Sequence, residues 1–211
     1  IQDGGTLEIA NVALALGSSA KITIEDDTPA TVGSVGGTLS GTGGLSASYS
    51  GALELMRHSL GGGGRTNVHV GSNAQLTLSG VIDGTGGLYK VGAGELVLSP
   101  TTTKNLYQGA TLLGEGMLTV RHGGALSEGT VRILNHGTLN IADNVTLDLL
   151  SKSVVFGWDP SSPPPPSLPG IPSGGSRIGK LTGSNLKATI KAANLWLHDQ
   201  AEVGGNLEIT A

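Results

Sequence analysis

Residues 84–100 read GTGGLYKVGAGELVLSP, and five of these seventeen residues are glycine. The stretch ends in ELVL, where Leu96 and Leu98 recur at a spacing of two. That spacing is typical of a β-strand with one buried face. A helix is disfavoured, because each glycine in a helix interior costs about 1 kcal/mol. The stretch therefore predicts short strands separated by tight glycine turns.

A similar string, GTGGLSASYSGALEL, occupies residues 41–55, so that Gly41 corresponds to Gly84 and Leu55 to Leu98. A shorter pattern, Gly-x-Leu-x-aliphatic, recurs every 20–23 residues, with alanine replacing glycine in one copy; the copies begin at residues 51, 74, 94, 116 and 137. Two further copies, at residues 5 and 205, are out of phase with this run. Repeats of this length predict a solenoid, in which parallel strands stack about 4.8 Å apart and glycines occupy the corners.

Stacking of the copies predicts which side chains face inward. Hydrophobic residues make up 37% of the chain but aromatic residues only 3%, so the core must be mainly aliphatic. We expect the leucines of successive copies to form an interior column, in which Leu96 lies between Leu76 and Leu118. Glu95 and Val97 are then predicted to face outward.

Residues 84–120 resemble the passenger-associated repeat of bacterial autotransporters. That family's pattern runs GTGGL-x-K-x-GAG-x-L-x-L, followed after a spacer by Y-x-G-x-T and G-x-L-x-V. It is matched here by Gly84, Thr85, Gly86, Gly87, Leu88, Lys90, Gly92, Ala93, Gly94, Leu96, Leu98, Asn105, Tyr107, Gly109, Thr111, Gly116, Leu118 and Val120. The copy that begins at Gly37 departs from the pattern, because SAS at residues 46–48 lacks the lysine and no Tyr-x-Gly follows.

The last section, residues 181–211, is more similar to the coils of filamentous-haemagglutinin-type exoproteins, which are also right-handed parallel β-helices. The two resemblances imply a type V secreted bacterial surface protein that leaves the cell through an outer-membrane translocator, either its own barrel or a separate partner. They imply a rigid β-helical stalk that presents loops to a host-cell surface, a glycan or a biofilm matrix. The motif marks architecture and export, so its residues are predicted to be structural and not catalytic.

Composition excludes several other classes of function. The net charge is −4 and no basic block is present, so the electrostatic signature of a nucleic-acid-binding protein is missing. The chain has no cysteine, which excludes disulfides, thiolate catalysis and Cys-ligated zinc. No apolar run reaches the ~18 residues of a membrane helix. The start, IQDGGTLEIA, reads like the middle of a repeat and not like a signal peptide, so we expect a monomeric piece of a longer chain.

Residues 1–211 are predicted to form one β-helix fragment, with its most regular coils at residues 37–150 and further coils at 177–211. Between them, residues 158–176 read WDPSSPPPPSLPGIPSGGS. Proline cannot donate a hydrogen bond to the interior of a sheet, so this segment is predicted to be a loop that leaves the stack. It is the candidate contact surface, with these residues at its centre: Trp158, Pro163, Pro164, Pro165 and Pro166.

The sequence predicts no metal and no cofactor. The five histidines show no metal-ligand spacing and are expected on surface loops; they are His58, His69, His122, His136 and His198. The acidic residues Asp26, Asp27, Asp143 and Asp148 lack the glycine–aspartate repeats of calcium-binding β-rolls.

Two alternatives to the adhesive hypothesis stay open. One is a polysaccharide-degrading β-helix enzyme using clustered carboxylates, for which Asp83, Lys90 and Glu95 are the nearest candidates in sequence. Lys90 belongs to the repeat pattern, however, which favours a structural role. The other alternative is a passenger section that templates folding during export.

Overall fold

The computed structural model describes residues 6–10, 13–14, 21–25, 38–42, 46–56, 65–101, 104–126, 129–134, 137–156, 180–183, 187–197 and 202–210. These residues form twenty strands and no helix, which confirms the predicted all-β class. Every strand pairing is parallel. Among the residues described, no helix long and apolar enough to cross a membrane is found.

The strands form three sheets, and successive strands along the chain go to different sheets. The nine strands of sheet A, in spatial order, are β1 (Thr6–Ala10), β4 (Thr38–Thr42), β7 (Arg65–Val70), β10 (Gly87–Val91), β12 (Thr111–Leu113), β14 (Val131–Ile133), β16 (Thr146–Phe156), β18 (Ala188–Leu197) and β20 (Leu207–Thr210). The eight strands of sheet B are β2 (Ala13–Leu14), β5 (Ser46–Tyr49), β8 (Gln75–Leu78), β11 (Glu95–Leu98), β13 (Met117–Val120), β15 (Thr138–Ile141), β17 (Lys180–Gly183) and β19 (Glu202–Gly204).

Sheet C is shorter and contains β3 (Lys21–Glu25), β6 (Ala52–Met56) and β9 (Ile82–Asp83). Backbone hydrogen bonds extend its row beyond β9. The Leu106 N–H donates to the Ile82 carbonyl at 2.7 Å, and the Asn105 N–H donates to the Gly124 carbonyl at 2.8 Å. Residues 105–108 and 124 thus lie where the next strands of this row would be.

The inward side chains of all three sheets meet in one aliphatic core. In sheet B its column runs, in register, through Ala47, Leu76, Leu96, Leu118, Leu139 and Leu181. Leu96 pairs with Leu76 on one side and Leu118 on the other, and none of its surface is exposed. The predicted position of Leu96 is confirmed.

The predicted place of the copy at residues 51–55 is wrong. Leu53 pairs with Ile82 and Ile22 in sheet C, so it does not join the column of Leu96 in sheet B. The place below Leu76 is taken by Ala47, in a strand without the motif. The reason is that alternation at a spacing of two satisfies any sheet with one buried face, so the pattern alone does not identify the sheet.

A long connection separates sheet A from sheet B after β16. Phe156 keeps register with Ile133, and Lys180 keeps register with Thr138, so the strands on both sides stay in the stack. Earlier connections from sheet A to sheet B are short, namely residues 92–94 and 114–116, whereas residues 157–179 separate β16 from β17. The contact-loop residues Trp158 and Pro163–Pro166 lie outside the described residues.

Candidate functional site

The residues of the repeat motif lie in the interior and at the corners of the stack. Leu88, Leu96, Leu98 and Leu118 are fully buried in the core. The glycines lie in turns or, for Gly87, in a strand, where a larger residue would meet the backbone of a neighbouring segment. The motif therefore encodes the inner column and the close spacing of neighbouring segments.

Gly92 and Gly94 show why the corner between sheets A and B needs glycine. Gly92 has φ +80°, in the left-handed region that other residues rarely adopt. Gly94 has ordinary φ, but a Cβ there would overlap the Gly71 carbonyl oxygen and lie 2.5 Å from that of Ala74. The two glycines act differently, since one allows the turn and the other allows close approach of two coils.

Lys90 faces the interior, although it is the one charged residue of the motif. It is completely buried and pairs in register with Val68 and Leu113 of the core. Its ammonium Nζ donates to three backbone carbonyls, those of Val91 at 2.9 Å, Gly92 at 2.6 Å and Glu115 at 3.1 Å. Because Glu115 lies in the connection that follows β12, Lys90 joins strand β10 to the segment after its neighbour in sheet A.

Burial lowers the pKa of Lys90 to about 8, and the nearby Glu115 carboxylate partly opposes this by favouring the charged form. An ammonium group has three N–H donors, which match the three carbonyl acceptors. All donors of the charged form are thus used inside the protein, and none points to solvent.

Asn105 and Tyr107 hold the row next to sheet C where regular strands are missing. The Asn105 side chain accepts a hydrogen bond from the Ile82 N–H at 2.9 Å and donates to the Ala125 carbonyl at 2.7 Å. It therefore bridges strand β9, 23 residues before it, and the segment at Ala125, 20 residues after it. The Tyr107 hydroxyl lies 2.6 Å from the Thr111 hydroxyl, and both side chains are buried.

The remaining glycines of the motif, Gly86, Gly87 and Gly109, pack backbone against backbone in adjacent coils. The Gly109 N–H donates to the Gly86 carbonyl at 2.9 Å. A Cβ on Gly109 would lie 2.5 Å from the Gly87 nitrogen. Gly84 and Gly116, like Gly92, have positive φ, at +101° and +71°.

Glu95 faces outward as predicted, but it takes part in a hydrogen-bonded row that the sequence analysis missed. Its two carboxylate oxygens accept from Gln75 Nε2 at 2.6 Å and from Thr119 Oγ1 at 2.5 Å. The row continues from Asn140 Nδ2 to Thr119 Oγ1 at 3.3 Å, and from Thr182 Oγ1 to Asn140 Oδ1 at 3.1 Å. We call this row the polar ladder. The signal for it in the sequence was a polar residue directly before or after the first leucine of a copy, as at Gln75, Glu95, Thr119 and Asn140.

The three candidate catalytic residues do not come together. Lys90 lies in the core, Glu95 on the outer face of sheet B, and Asp83 in sheet C beside its register partner Glu54. Among the described residues, no group of three His, Cys, Asp or Glu side chains is arranged to hold a metal ion.

Strand register places the carboxylates Glu54 and Asp83 opposite each other in sheet C. Lys21 binds Glu54 at 2.8 Å, which lowers the pKa of Glu54 and raises that of Lys21. Asp83 Oδ1 is shielded from solvent and has no hydrogen-bond partner. Glu54 is thus held as a carboxylate in an ion pair with Lys21, and one oxygen of Asp83 is shielded from solvent.

Two histidines lie in the described part of the chain. His69 is on strand β7 and not on a loop, so its predicted loop position is wrong. His122 is in a turn, where its Nδ1 accepts from the Gly124 N–H at 3.0 Å. His58, His136 and His198 lie outside the described residues, as do Asp26 and Asp27, whereas Asp143 and Asp148 are exposed.

Comparison of the chain with protein-family models, with curated proteins and with solved structures gave no match.

Proposed function

We propose that the chain is a right-handed parallel β-helix and serves as a non-catalytic, rigid section of a secreted bacterial surface protein. Its role is adhesive: it holds contact surfaces toward a host-cell surface, a glycan or a biofilm matrix. The observation that carries this proposal is the parallel pairing of strands in three sheets around one core of mainly aliphatic side chains.

The order of the strands supports the solenoid. From β1 to β9 the chain visits sheets A, B and C in turn, three times over, and each strand pairs with its counterpart in the next round. Each round is therefore one coil. Right-handed winding is proposed because connections between parallel strands of one sheet are almost always right-handed.

The placement of the charged groups supports a non-catalytic role. A glycosidase needs two carboxyl groups about 5–10 Å apart facing one substrate cleft. Glu95 and Asp83 lie on different sheets, and the Lys90 ammonium donates its hydrogen bonds to three backbone carbonyls. The enzyme hypothesis is consequently the weaker one.

The surface location rests on the sequence resemblance of residues 84–120. The packing gives the leucines, most of the glycines, Lys90, Asn105 and Tyr107 of the motif a structural role, in keeping with a motif that marks architecture. The connection of residues 157–179 supports presentation of a loop, because its flanking strands keep their register on both sides. Loops on a rigid scaffold are where binding is commonly carried.

Deletion of Ser161–Gly174, with a short Gly/Ser linker, tests this function. We expect circular dichroism and the melting temperature to stay nearly unchanged, because the strands on either side pair without the loop. Binding of the intact chain to host cells or biofilm matrix should be measured for both proteins, together with release of reducing sugar from polysaccharides. Sugar release by the intact chain would contradict the adhesive function and favour the enzyme. Failure of the deletion variant to fold would show that the loop braces the coils.

A further inference from the structure

The corner between β10 and β11 is joined to the connection between β12 and β13 by backbone and by a side chain. Backbone hydrogen bonds run from the Gly114 N–H to the Lys90 carbonyl at 2.9 Å, and from the Met117 N–H to the Gly94 carbonyl at 3.2 Å. Between these bonds lies residue 115, whose carbonyl accepts from the Lys90 ammonium at 3.1 Å. The middle of the connection is thus held by a group that can lose a proton.

On its other side the same corner is joined to the end of β7 by a backbone hydrogen bond. The Gly94 N–H donates to the Val70 carbonyl at 3.0 Å. The residue of β7 in register with Lys90 is Val68, an apolar side chain that does not titrate. The two sides of the corner therefore differ, because the contact to residue 115 depends on a proton and the contact to Val70 does not.

The charged and neutral forms of Lys90 cannot make the same contacts. The ammonium has three N–H donors, one for each of the carbonyls of Val91, Gly92 and Glu115. The neutral amine has two N–H donors and a lone pair, which a carbonyl oxygen repels. One of the three carbonyls must then lose its hydrogen bond to Nζ, at the cost of leaving a polar group without that partner inside the protein.

Glu115 is the partner that the neutral amine gives up. The Nζ atom lies 2.6 Å from the Gly92 oxygen and 2.9 Å from the Val91 oxygen, and both residues directly follow Lys90 in the chain. The Glu115 oxygen is the most distant of the three and belongs to another segment. Gly116, which follows it, has φ +71° and can adjust its backbone more freely than other residues.

The charges around the corner allow Lys90 to change its protonation state. Burial favours the neutral form and the Glu115 carboxylate favours the charged form, and together they bring the pKa of Lys90 to about 8. From β7, His69 also faces the corner, with its Nε2 3.0 Å from the point where a Cβ on Gly92 would lie. On β11, Glu95 points away from the corner into the polar ladder. The proton on Lys90 can therefore leave under mildly alkaline conditions.

We propose that Lys90 is a proton-dependent link between β10 and the connection at residues 114–116. The charged form holds the Glu115 carbonyl and the neutral form releases it, while the flanking bonds of Gly114 and Met117 keep the strands paired. The unfolded chain binds more protons than the folded one in this pH range, so the free energy of unfolding rises while the link opens. A local release that accompanies a gain in global stability distinguishes this link from general loosening of the fold.

The test is a titration of the intact chain from about pH 6 to about pH 10 by nuclear magnetic resonance. It follows the Nζ nitrogen signal of Lys90 and the carbonyl carbon shifts of Val91, Gly92 and Glu115. We expect the Glu115 carbonyl shift to follow the titration of Lys90, with a midpoint near pH 8, and the other two to change much less. Lys90→Met should abolish the change at Glu115. If that variant does not fold, the intact chain alone decides the result.

Glu115→Gln and His69→Gln are a matched pair, because each replaces a titratable side chain at the corner with an uncharged amide and keeps the backbone carbonyl of residue 115. Glu115→Gln should lower the midpoint of Lys90, since it removes the charge that favours the ammonium. In His69→Gln the carbonyl of Glu115 should still follow Lys90, and loss of the change there would assign it to His69 and overturn the proposal. Equal changes at all three carbonyls, no change at Glu115 while Lys90 titrates, or a Lys90 midpoint above about pH 10 would also overturn it.

Discussion

Strands β11 and β20 have nearly the same sequence pattern, but their surroundings differ. Each begins one or two residues after a glycine and has aliphatic residues at a spacing of two: GELVL at residues 94–98 and GNLEIT at 205–210. In β11, which lies between β8 and β13, Leu96 has no exposed surface. In β20, at the edge of sheet A, Ile209 is 42% exposed. The motif sets the direction of a side chain, whereas neighbouring coils determine how deeply it is buried.

The largest effect is expected from truncation of the inner column. Leu96→Ala removes a fully buried side chain between two ordered strands, so we expect the free energy of unfolding to fall by about 2–5 kcal/mol. Ile209→Ala in the edge strand should cost less than about 1 kcal/mol, because that residue is already partly hydrated. Denaturant unfolding of both variants gives the comparison. Equal losses would mean that Ile209 is buried in solution.

Two glycines give a similar contrast for close approach between coils. Gly94→Ala brings a methyl group against the carbonyl oxygens of Gly71 and Ala74, and we expect a loss of about 1–3 kcal/mol. Gly204→Ala, in edge strand β19, has no heavy atom within 4 Å of the new Cβ and should change stability by less than about 0.5 kcal/mol. Thermal unfolding of both variants checks this. A harmless Gly94→Ala would show that the corner can shift to make room.

These comparisons show which features of the fold could be predicted from the sequence. Alternation and glycine spacing were enough for the all-β class, the parallel stacking and the position of Leu96, since all three depend on local pattern. The copy at residues 51–55 was assigned to the wrong sheet, because a strand with one buried face shows the same alternation in any of the three sheets. Lys90 was recognised as structural, and its inward direction agrees with alternation from Leu88, but one of its three carbonyl acceptors belongs to residue 115, and no local pattern reports that partner.

The buried ammonium of Lys90 makes stability depend on pH. Its pKa falls from an ordinary 10.5 in the unfolded chain to about 8 in the folded protein. Between these values the unfolded chain binds more protons, so the free energy of unfolding rises with pH and the gain is lost as pH falls through 8. We expect a rise on the order of 1–2 kcal/mol between pH 8 and pH 10.

Urea unfolding at several pH values measures this rise, with Lys90→Met as the control that should lack it. Measurements should stop near pH 10, because burial raises the pKa of Tyr49, so the folded chain holds that proton more tightly than the unfolded one and the rise is opposed at higher pH. No difference in slope between the two proteins would mean that the three carbonyls hold the proton on Lys90 as well as water does.

The smallest effect concerns the outer side of the same strand. From the sequence, replacement of Glu95 is expected to change stability by less than about 0.5 kcal/mol, as for an ordinary surface residue. The polar ladder revises this value, because Glu95 accepts hydrogen bonds from Gln75 and Thr119, and Glu95→Ala leaves both donors without that partner. We expect a loss of about 1 kcal/mol, since hydrogen bonds to a charged group contribute more than neutral ones but solvent replaces part of what is removed.

Ser46→Ala, an exposed residue in register with Gln75 two strands from Glu95, is the matched control and should stay within about 0.5 kcal/mol. A double-mutant cycle of Glu95→Ala with Thr119→Val separates the hydrogen bond from the loss of side-chain packing. Additive losses would show that the ladder is a geometric consequence of stacking, whereas a coupling of about 0.5 kcal/mol or more would show that it helps to hold neighbouring coils together.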